Sequence, residues 1–348
     1  MNEIIIFCQA PVDVAYCLYI YDKYIDKSRI SIYVINVKGI YEFLESLNLN
    51  LKNLVFIPYN KYISIRNPFI IRKEKKRISE LYNIYFYDCK NAEVYFFYRV
   101  FDWITNNFVA KLSLSNKVNF VGIDNPQDLP FTVVKNNIAK LFELWVIKYI
   151  TGIKFRFIKN KFGIMLDFDY VDKFDIKRIS LPEINLEIYN KYCYKADNII
   201  KPALLFFEQN QKDYDFYANY EKELNIIMDI LQKENVNIYI KPHPRQMYSS
   251  FIKDRVKGII PAFVPGEFLN FDDFNLIIGI ETVAIANCNR FAEDKTYSLL
   301  ELFSFKDPEQ KSYIKSHLNS LSNNKLKYIS SYQELSEIIN KNFFPNKI

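Results

Sequence analysis

The chain has 348 residues, half of them apolar and a quarter charged, with a net charge of +6. That length exceeds what one hydrophobic core usually organises, so two domains are expected, and no tract is polar enough for a disordered chain. The positive charge is modest and spread over many lysines rather than gathered in one region, which argues against a nucleic-acid-binding protein.

Residues 4–8, an unbroken run of Ile, Phe and Cys, read as a buried strand, followed by a helical pattern over 12–24, a strand over 30–37, a helix over 41–47 and a third strand over 54–58. Alternation of this kind implies parallel βαβ units with helices on both faces of a sheet, a Rossmann-like arrangement. The basic run Arg72-Lys73-Glu74-Lys75-Lys76-Arg77 leads into an apolar-periodic segment. It reads as the solvated first turn of a helix, the other reading being attraction to an anionic membrane surface or acidic glycan. Residues 92–98 and 118–123 read as further strands around a helix near 103–114, and a long helical pattern fills about 133–151.

Residues 154–199 are less regular. A second alternating block then begins, with a strand over 203–207, an amphipathic helix over 217–234, a strand over 236–240, short strands over 258–260 and 276–278, and a helix opening over 282–287. The expected layout is a Rossmann-like domain over 1–155, an irregular insertion and linker over 156–199, and a second Rossmann-like domain with a helical tail over 200–348. Two such domains in series place a cleft between them, with ligands at the carboxyl ends of the strands.

Cys8, Cys17, Cys89, Cys193 and Cys288 are odd in number, scattered and never in C-x-x-C spacing, so neither a disulfide framework nor a zinc site is expected and a reducing compartment fits. The first residues, Met1-Asn2-Glu3, lead straight into a strand without a basic, apolar leader, and no stretch of apolar residues is long enough to span a bilayer. The expectation is a cytoplasmic protein, with peripheral attachment at the inner face of the membrane left open. There is no G-x-G-x-x-G, P-loop, G-x-S-x-G or H-E-x-x-H pattern. Asp167-Phe168-Asp169 has the D-x-D spacing with which some nucleotide-sugar transferases hold a divalent cation, but it lies among other acids in the irregular segment and reads as solvated loop carboxylates. No metal and no cofactor are expected.

The sharpest local feature is Tyr239-Ile240-Lys241-Pro242-His243-Pro244-Arg245, in which a buried strand delivers a histidine at its carboxyl end between two prolines that fix the loop. Among Lys241 and Arg245 an imidazole suits an anionic partner, because the cations attract a phosphate and the histidine donates a hydrogen bond or proton to it. A turn histidine with solvated basic neighbours is the other reading.

Strand followed by K-P-H-P-R resembles the HP motif of bacterial sialyltransferases and polysialyltransferases, the group around glycosyltransferase families 38, 52 and 80. The resemblance implies a GT-B fold, with an acceptor domain first and a donor domain second, and a role for His243 at the phosphate of a CMP-sugar donor. It also implies an acidic residue at a strand end of the first domain as general base. Asp124, in Gly122-Ile123-Asp124-Asn125, is at such a terminus; base and turn former fit it equally, and Asp128 competes.

The segment 260–269, with Pro265-Gly266-Glu267-Phe268-Leu269, resembles the P-x-E-x-L stretch whose glutamate holds the donor ribose, which makes Glu267 the ribose ligand or else a helix-capping residue. Where the family has a Ser-Ser/Thr pair at the donor phosphate, this chain has Glu281-Thr282, so Thr282 fits and Glu281 departs. Gln209, in Phe207-Glu208-Gln209-Asn210, falls where the family approaches the donor. Gln9 and Asp13 lie in the first strand-to-helix loop, facing an acceptor or, for Asp13, capping the helix. The expected activity is transfer of a sialic-acid-like sugar from a CMP donor to a glycan, by an inverting, metal-independent enzyme of capsule or lipooligosaccharide synthesis. A related enzyme with another donor and a non-catalytic binding module are the alternatives. The expected partners are a nucleotide sugar and a glycan acceptor and no nucleic acid; peripheral membrane association and a homodimer are both open.

Overall fold

Apolar residues in unbroken runs need covering on both faces, and the first strands of each half have such runs. In the computed structural model, which describes residues 2–58, 68–97, 103–122, 142, 149, 155–160, 163–168, 177–180, 186–196, 198–209, 216–243 and 250–344, they lie at the centres of two parallel sheets. Contacts divide the chain into two compact units, Met1–Asn185 and Leu186–Ile348.

The first unit holds β1 (Asn2–Cys8), α1 (Asp13–Tyr24), β2 (Ser28–Ile35), α2 (Lys38–Ser46), β3 (Asn53–Ile57), α3 (Pro68–Phe86), β4 (Glu93–Phe97), α4 (Trp103–Leu112), β5 (Lys117–Gly122), β6 (Phe155–Asn160), β7 (Gly163–Phe168) and β8 (Lys177–Ser180). Six strands form one sheet in the order β3-β2-β1-β4-β5-β8, every pairing parallel. Ile4 to Cys8 on β1 are all buried, as a central strand with both faces covered requires. On one face Phe7, Tyr33, Phe86 and Phe108 pack together, with ring centroids 5.7 Å apart for Phe7 and Phe86 and 5.2 Å for Phe86 and Phe108.

Residues 156–199, expected as insertion and linker, contain regular structure. β6 and β7 pair antiparallel as a hairpin, β8 adds the sixth strand beside β5, and a helix over Leu186–Lys191 (α5) opens the second unit. The basic run 72–77 lies inside α3, after its first turn. The long helical pattern expected over 133–151 lies outside the described residues except at Phe142 and Tyr149, both helical.

The second unit continues with β9 (Ala203–Phe207), α6 (Tyr220–Lys233), β10 (Asn237–Lys241), β11 (Gly258–Ile259), β12 (Leu276–Gly279), α7 (Val283–Cys288), β13 (Thr296–Ser298), α8 (Pro308–Leu321), β14 (Lys327–Tyr328) and α9 (Tyr332–Phe343). Its sheet runs β11-β10-β9-β12-β13-β14, again all parallel. Numbered within each unit, both sheets have the order 3-2-1-4-5-6 of a doubly wound dinucleotide-binding fold, with the hairpin β6–β7 inserted before the last strand of the first. α6 lays Tyr220, Leu224, Ile227, Met228 and Leu231 on the core, a stripe at helical spacing, with Glu221 and Glu223 in its first turn and Lys233 in its last, where the helix dipole favours them.

The chain has only 7 glycines, and asparagine takes over the left-handed turn positions, with positive φ at Asn36, Asn48, Asn91, Asn198, Asn235, Asn323 and Asn324. After α6 the Asn235 N–H donates to Gln232 O at 3.0 Å and the Val236 N–H to Leu231 O at 3.2 Å, closing the helix end. Among the described residues no helix is long and apolar enough to cross a membrane.

Candidate functional site

In a doubly wound sheet the strand order reverses at the first strand, and the loops leaving the carboxyl ends on either side diverge to leave a crevice. In the second unit that point lies between β9 and β12. Lys241 on β10 and Gly279 on β12 are both in register with Phe207 on β9, so three chain segments leave the sheet edge side by side, about 4.8 Å apart per strand at the last pairing. They carry Pro242-His243, Glu208-Gln209 and Ile280-Glu281-Thr282.

Pro242 is buried and His243 half-buried, directly beyond the end of β10. Lys241 is the last residue of that strand and only 2% exposed. Its Nζ donates to Pro242 O at 2.8 Å and to Ala262 O at 3.2 Å. Burial pushes its pKa down to about 8, with the Glu267 carboxylate opposing the fall. The ammonium is thus enclosed and donates to two backbone carbonyls. The strand pattern that buries Ile240 buries its neighbour too, since both faces of the sheet are covered. Arg245 lies outside the described residues.

Glu267 stands in a single 3-10 turn, Gly266–Phe268, preceded by Pro265 in extended conformation. Its Oε1 accepts from Asn287 Nδ2 at 2.8 Å, and Oε2 has no hydrogen bond among the described residues. Glu267 thus bonds to a residue of α7 through one carboxylate oxygen. The turn fits here because residue 266 has no side chain: a Cβ on Gly266 would meet Phe207 Cε1 at 2.9 Å and Ala284 Cβ at 3.1 Å. Gly266→Ala is expected to cost about 1–3 kcal/mol through overpacking, visible as a lower melting temperature and checked by thermal denaturation of the two proteins side by side. Cys288, one residue after Asn287, is buried, and both burial and the Glu267 charge push its thiol pKa up, so it is a neutral neighbour.

Thr282 is the N-cap of α7, with extended backbone, its Oγ1 accepting from Ala284 N at 3.3 Å. As an acceptor in that bond, the hydroxyl can still donate its own proton. Glu281, the departure from the Ser-Ser/Thr pattern, accepts a hydrogen bond at its Oε1 from Gln209 Nε2 at 2.8 Å. That bond bridges the switch point from β9 to β12 and pairs Gln209 with a residue that the resemblance did not supply. Glu208 is buried and its backbone N–H donates to Lys241 O at 3.1 Å, continuing the ladder one residue past the strands.

The structure therefore gathers Gln209, Lys241, His243, Glu267 and Thr282 at one edge of the second sheet. Gln9 belongs to the first unit, at the end of β1. There the Asp13 Oδ2 accepts from the N–H groups of Gln9 at 3.0 Å and Ala10 at 2.8 Å, while Val12 holds the N-cap position of α1. The buried Asp13 carboxylate thus fixes the loop that carries Gln9, which corrects both sequence readings of that residue. Asp124 and Asp128 lie outside the described residues, beyond β5, which ends at Gly122. Sequence reasoning missed Asn287 and Lys241's carbonyl partners, since the first is 20 positions from Glu267 and the second depend on backbone.

Asp167 of the D-x-D pattern is on β7, opposite Arg156 of β6, and Asp169 lies outside the described residues. Among the described residues no cluster of three His, Cys, Asp or Glu side chains is arranged to hold a metal ion.

No protein-family model matches the sequence, and no curated protein does either. Solved structures similar to this one include the UDP-GlcNAc 2-epimerase of Methanocaldococcus jannaschii, at a TM-score of 0.49 and 14% identity over 100% of this chain and 94% of that one. An alpha/beta-galactoside alpha-2,3-sialyltransferase from Photobacterium phosphoreum is similar at a TM-score of 0.46 and 14% identity, over 96% of this chain and 100% of that one. The UDP-GlcNAc 2-epimerase of Neisseria meningitidis is similar at a TM-score of 0.45 and 11% identity, over 99% and 100% of the two chains.

Proposed function

We propose that the protein is an inverting glycosyltransferase of GT-B type that binds a nucleotide sugar in its second unit and passes the sugar to a glycan hydroxyl. The observation that carries this reading is the joining of two loops at the carboxyl edge of the second sheet: the one after β10 with His243 and the one after β11 with Glu267 meet through Lys241. A half-buried imidazole suits the phosphate of a nucleotide, and the open Glu267 oxygen suits a ribose hydroxyl. The K-P-H-P-R resemblance favours a CMP donor with a sialic-acid-like sugar.

In the proposed reaction the acceptor oxygen attacks the anomeric carbon as the bond to the nucleotide phosphate breaks, through an oxocarbenium-like transition state. Asp124 takes the acceptor proton. His243 donates to the departing phosphate and offsets its growing negative charge. Gln9 is assigned to the acceptor side and Arg245, Gln209 and Thr282 to the donor side. The reaction as written uses no metal, and the proposed place is the cytoplasm, at or near the membrane face where surface glycans are made.

A second reading rests on one observation. Gln209 holds the Glu281 carboxylate beside the loop of Thr282, and a fixed carboxylate and amide suit the hydroxyls of a neutral sugar better than a second anion. The donor is then a UDP-sugar or another neutral-sugar nucleotide. Thermal denaturation with CMP, CDP, UMP and UDP separates the two, because a ligand bound only by the folded state raises the melting temperature by linkage. A selective rise with CMP, lost in His243→Ala, is the expected result; a selective rise with UDP moves the donor to the second reading, and no response to any of the four removes the nucleotide assignment.

A further inference from the structure

We propose that Lys241 is a positioning residue, whose buried ammonium ties the loop carrying His243 to the loop carrying Glu267 and so sets the spacing of those two groups. The inference rests on the nucleotide-sugar reading for its purpose, but its physical content is independent of any ligand.

A lysine ammonium has three protons to donate and no stem stiff enough to hold a position by itself, so what it bonds decides what it does. Here the two acceptors come from separate loops. Pro242 O belongs to the peptide that continues into His243, at 2.8 Å, and Ala262 O belongs to the segment leaving β11, five residues before Glu267, at 3.2 Å. Around these bonds the Ile260 N–H donates to Ile240 O at 2.7 Å and the Val264 N–H to Pro261 O at 3.2 Å. The second loop is thus anchored to β10 at Ile260, tied to Lys241 at Ala262, and turned into the 3-10 turn that presents Glu267. Loss of the ammonium frees the middle of that path while leaving both ends in place.

Stability is a poor reason for such a residue. Enclosing a cation costs several kcal/mol before its bonds are counted, and a methionine would fill the same volume without that cost. The depressed pKa gives the sign. Between pH about 8 and the ordinary lysine value the unfolded chain binds more protons than the folded one. The group therefore works against folding below about 8, and the penalty fades as pH rises. The charge acting on the ammonium fits this account: the Glu267 carboxylate, from the 3-10 turn, attracts it and opposes the fall in its pKa.

The histidines make a direct test available, because the full chain has only two, His243 and His317. His317→Asn leaves one imidazole, whose Cε1–H resonance is followed by NMR against pH in the wild-type and Lys241→Met backgrounds, with no ligand added. The expected result is a displacement of the His243 resonance in Lys241→Met, and in the wild type a second inflection near pH 8 that the variant lacks. In parallel, the variant should keep its melting temperature within a few degrees below pH 8. Its kcat for transfer should fall on the order of tenfold to a hundredfold, with a high-pH limb in the wild-type rate profile that is absent from Lys241→Met.

An unchanged His243 resonance in a folded Lys241→Met protein overturns the proposal. So does an unchanged resonance in Lys241→Gln, the second variant, which is read if Lys241→Met fails to fold. A displaced resonance in a protein that binds none of the nucleotides leaves Lys241 as the tie and removes only the nucleotide reading.

Discussion

Replacing His243 by alanine should lower kcat for sugar transfer by about a hundredfold or more, the usual loss for a positioned acid or charge-stabilising donor at a leaving phosphate. The melting temperature should hardly move, since the imidazole is half-buried at the end of a strand whose core residues are untouched. Steady-state rates at saturating donor and acceptor check the first point, and thermal denaturation without ligand checks the second. His243→Gln should recover part of the loss, because an amide still donates a hydrogen bond although it transfers no proton. A folded His243→Ala protein with an unaltered rate would remove the histidine from the chemistry.

Asp124→Asn is expected to have an effect of similar or larger size, about a hundredfold to ten-thousandfold on transfer, because the acceptor hydroxyl must lose its proton as the new bond forms. Nucleotide binding should survive, since the residues proposed for the donor belong to the other unit. The discriminating comparison pairs this variant with Asp128→Asn, measuring transfer and the nucleotide-induced rise in melting temperature for each. Loss of transfer in Asp128→Asn alone moves the base four positions along; retention in both excludes this segment as its source.

The alternation of strands and helices was legible because parallel strands covered on both faces advertise themselves: residues 4–8 and 203–207 are nearly unbroken apolar runs. The same rule explains what was missed. β8 reads Lys177-Arg178-Ile179-Ser180, an edge strand with a single apolar aliphatic residue, and nothing in its pattern separates it from a loop. His243, Gln209 and Thr282 each follow the end of a strand, β10, β9 and β12 in turn, and the register of those strands brings the three loops side by side. The sequence shows the charge of Lys241 but not its enclosure, and the carbonyls that hold it have no residue signature. The Gln209–Glu281 bond spans 72 positions and exists only because β9 and β12 are neighbours across the crossover. Side-chain identity located the groups; only topology could pair them.

The asparagines in left-handed turns have a bearing on how such chains are parsed. The turn after α2 at Asn48 and the one after α6 at Asn235 are corners that glycine normally marks, and neither has a glycine. Reading glycine as the main punctuation therefore leaves long stretches of this sequence without full stops. Where a chain is poor in glycine and rich in asparagine, each asparagine that closes a helical pattern carries the same message, and a reader who counts it recovers the missing corners.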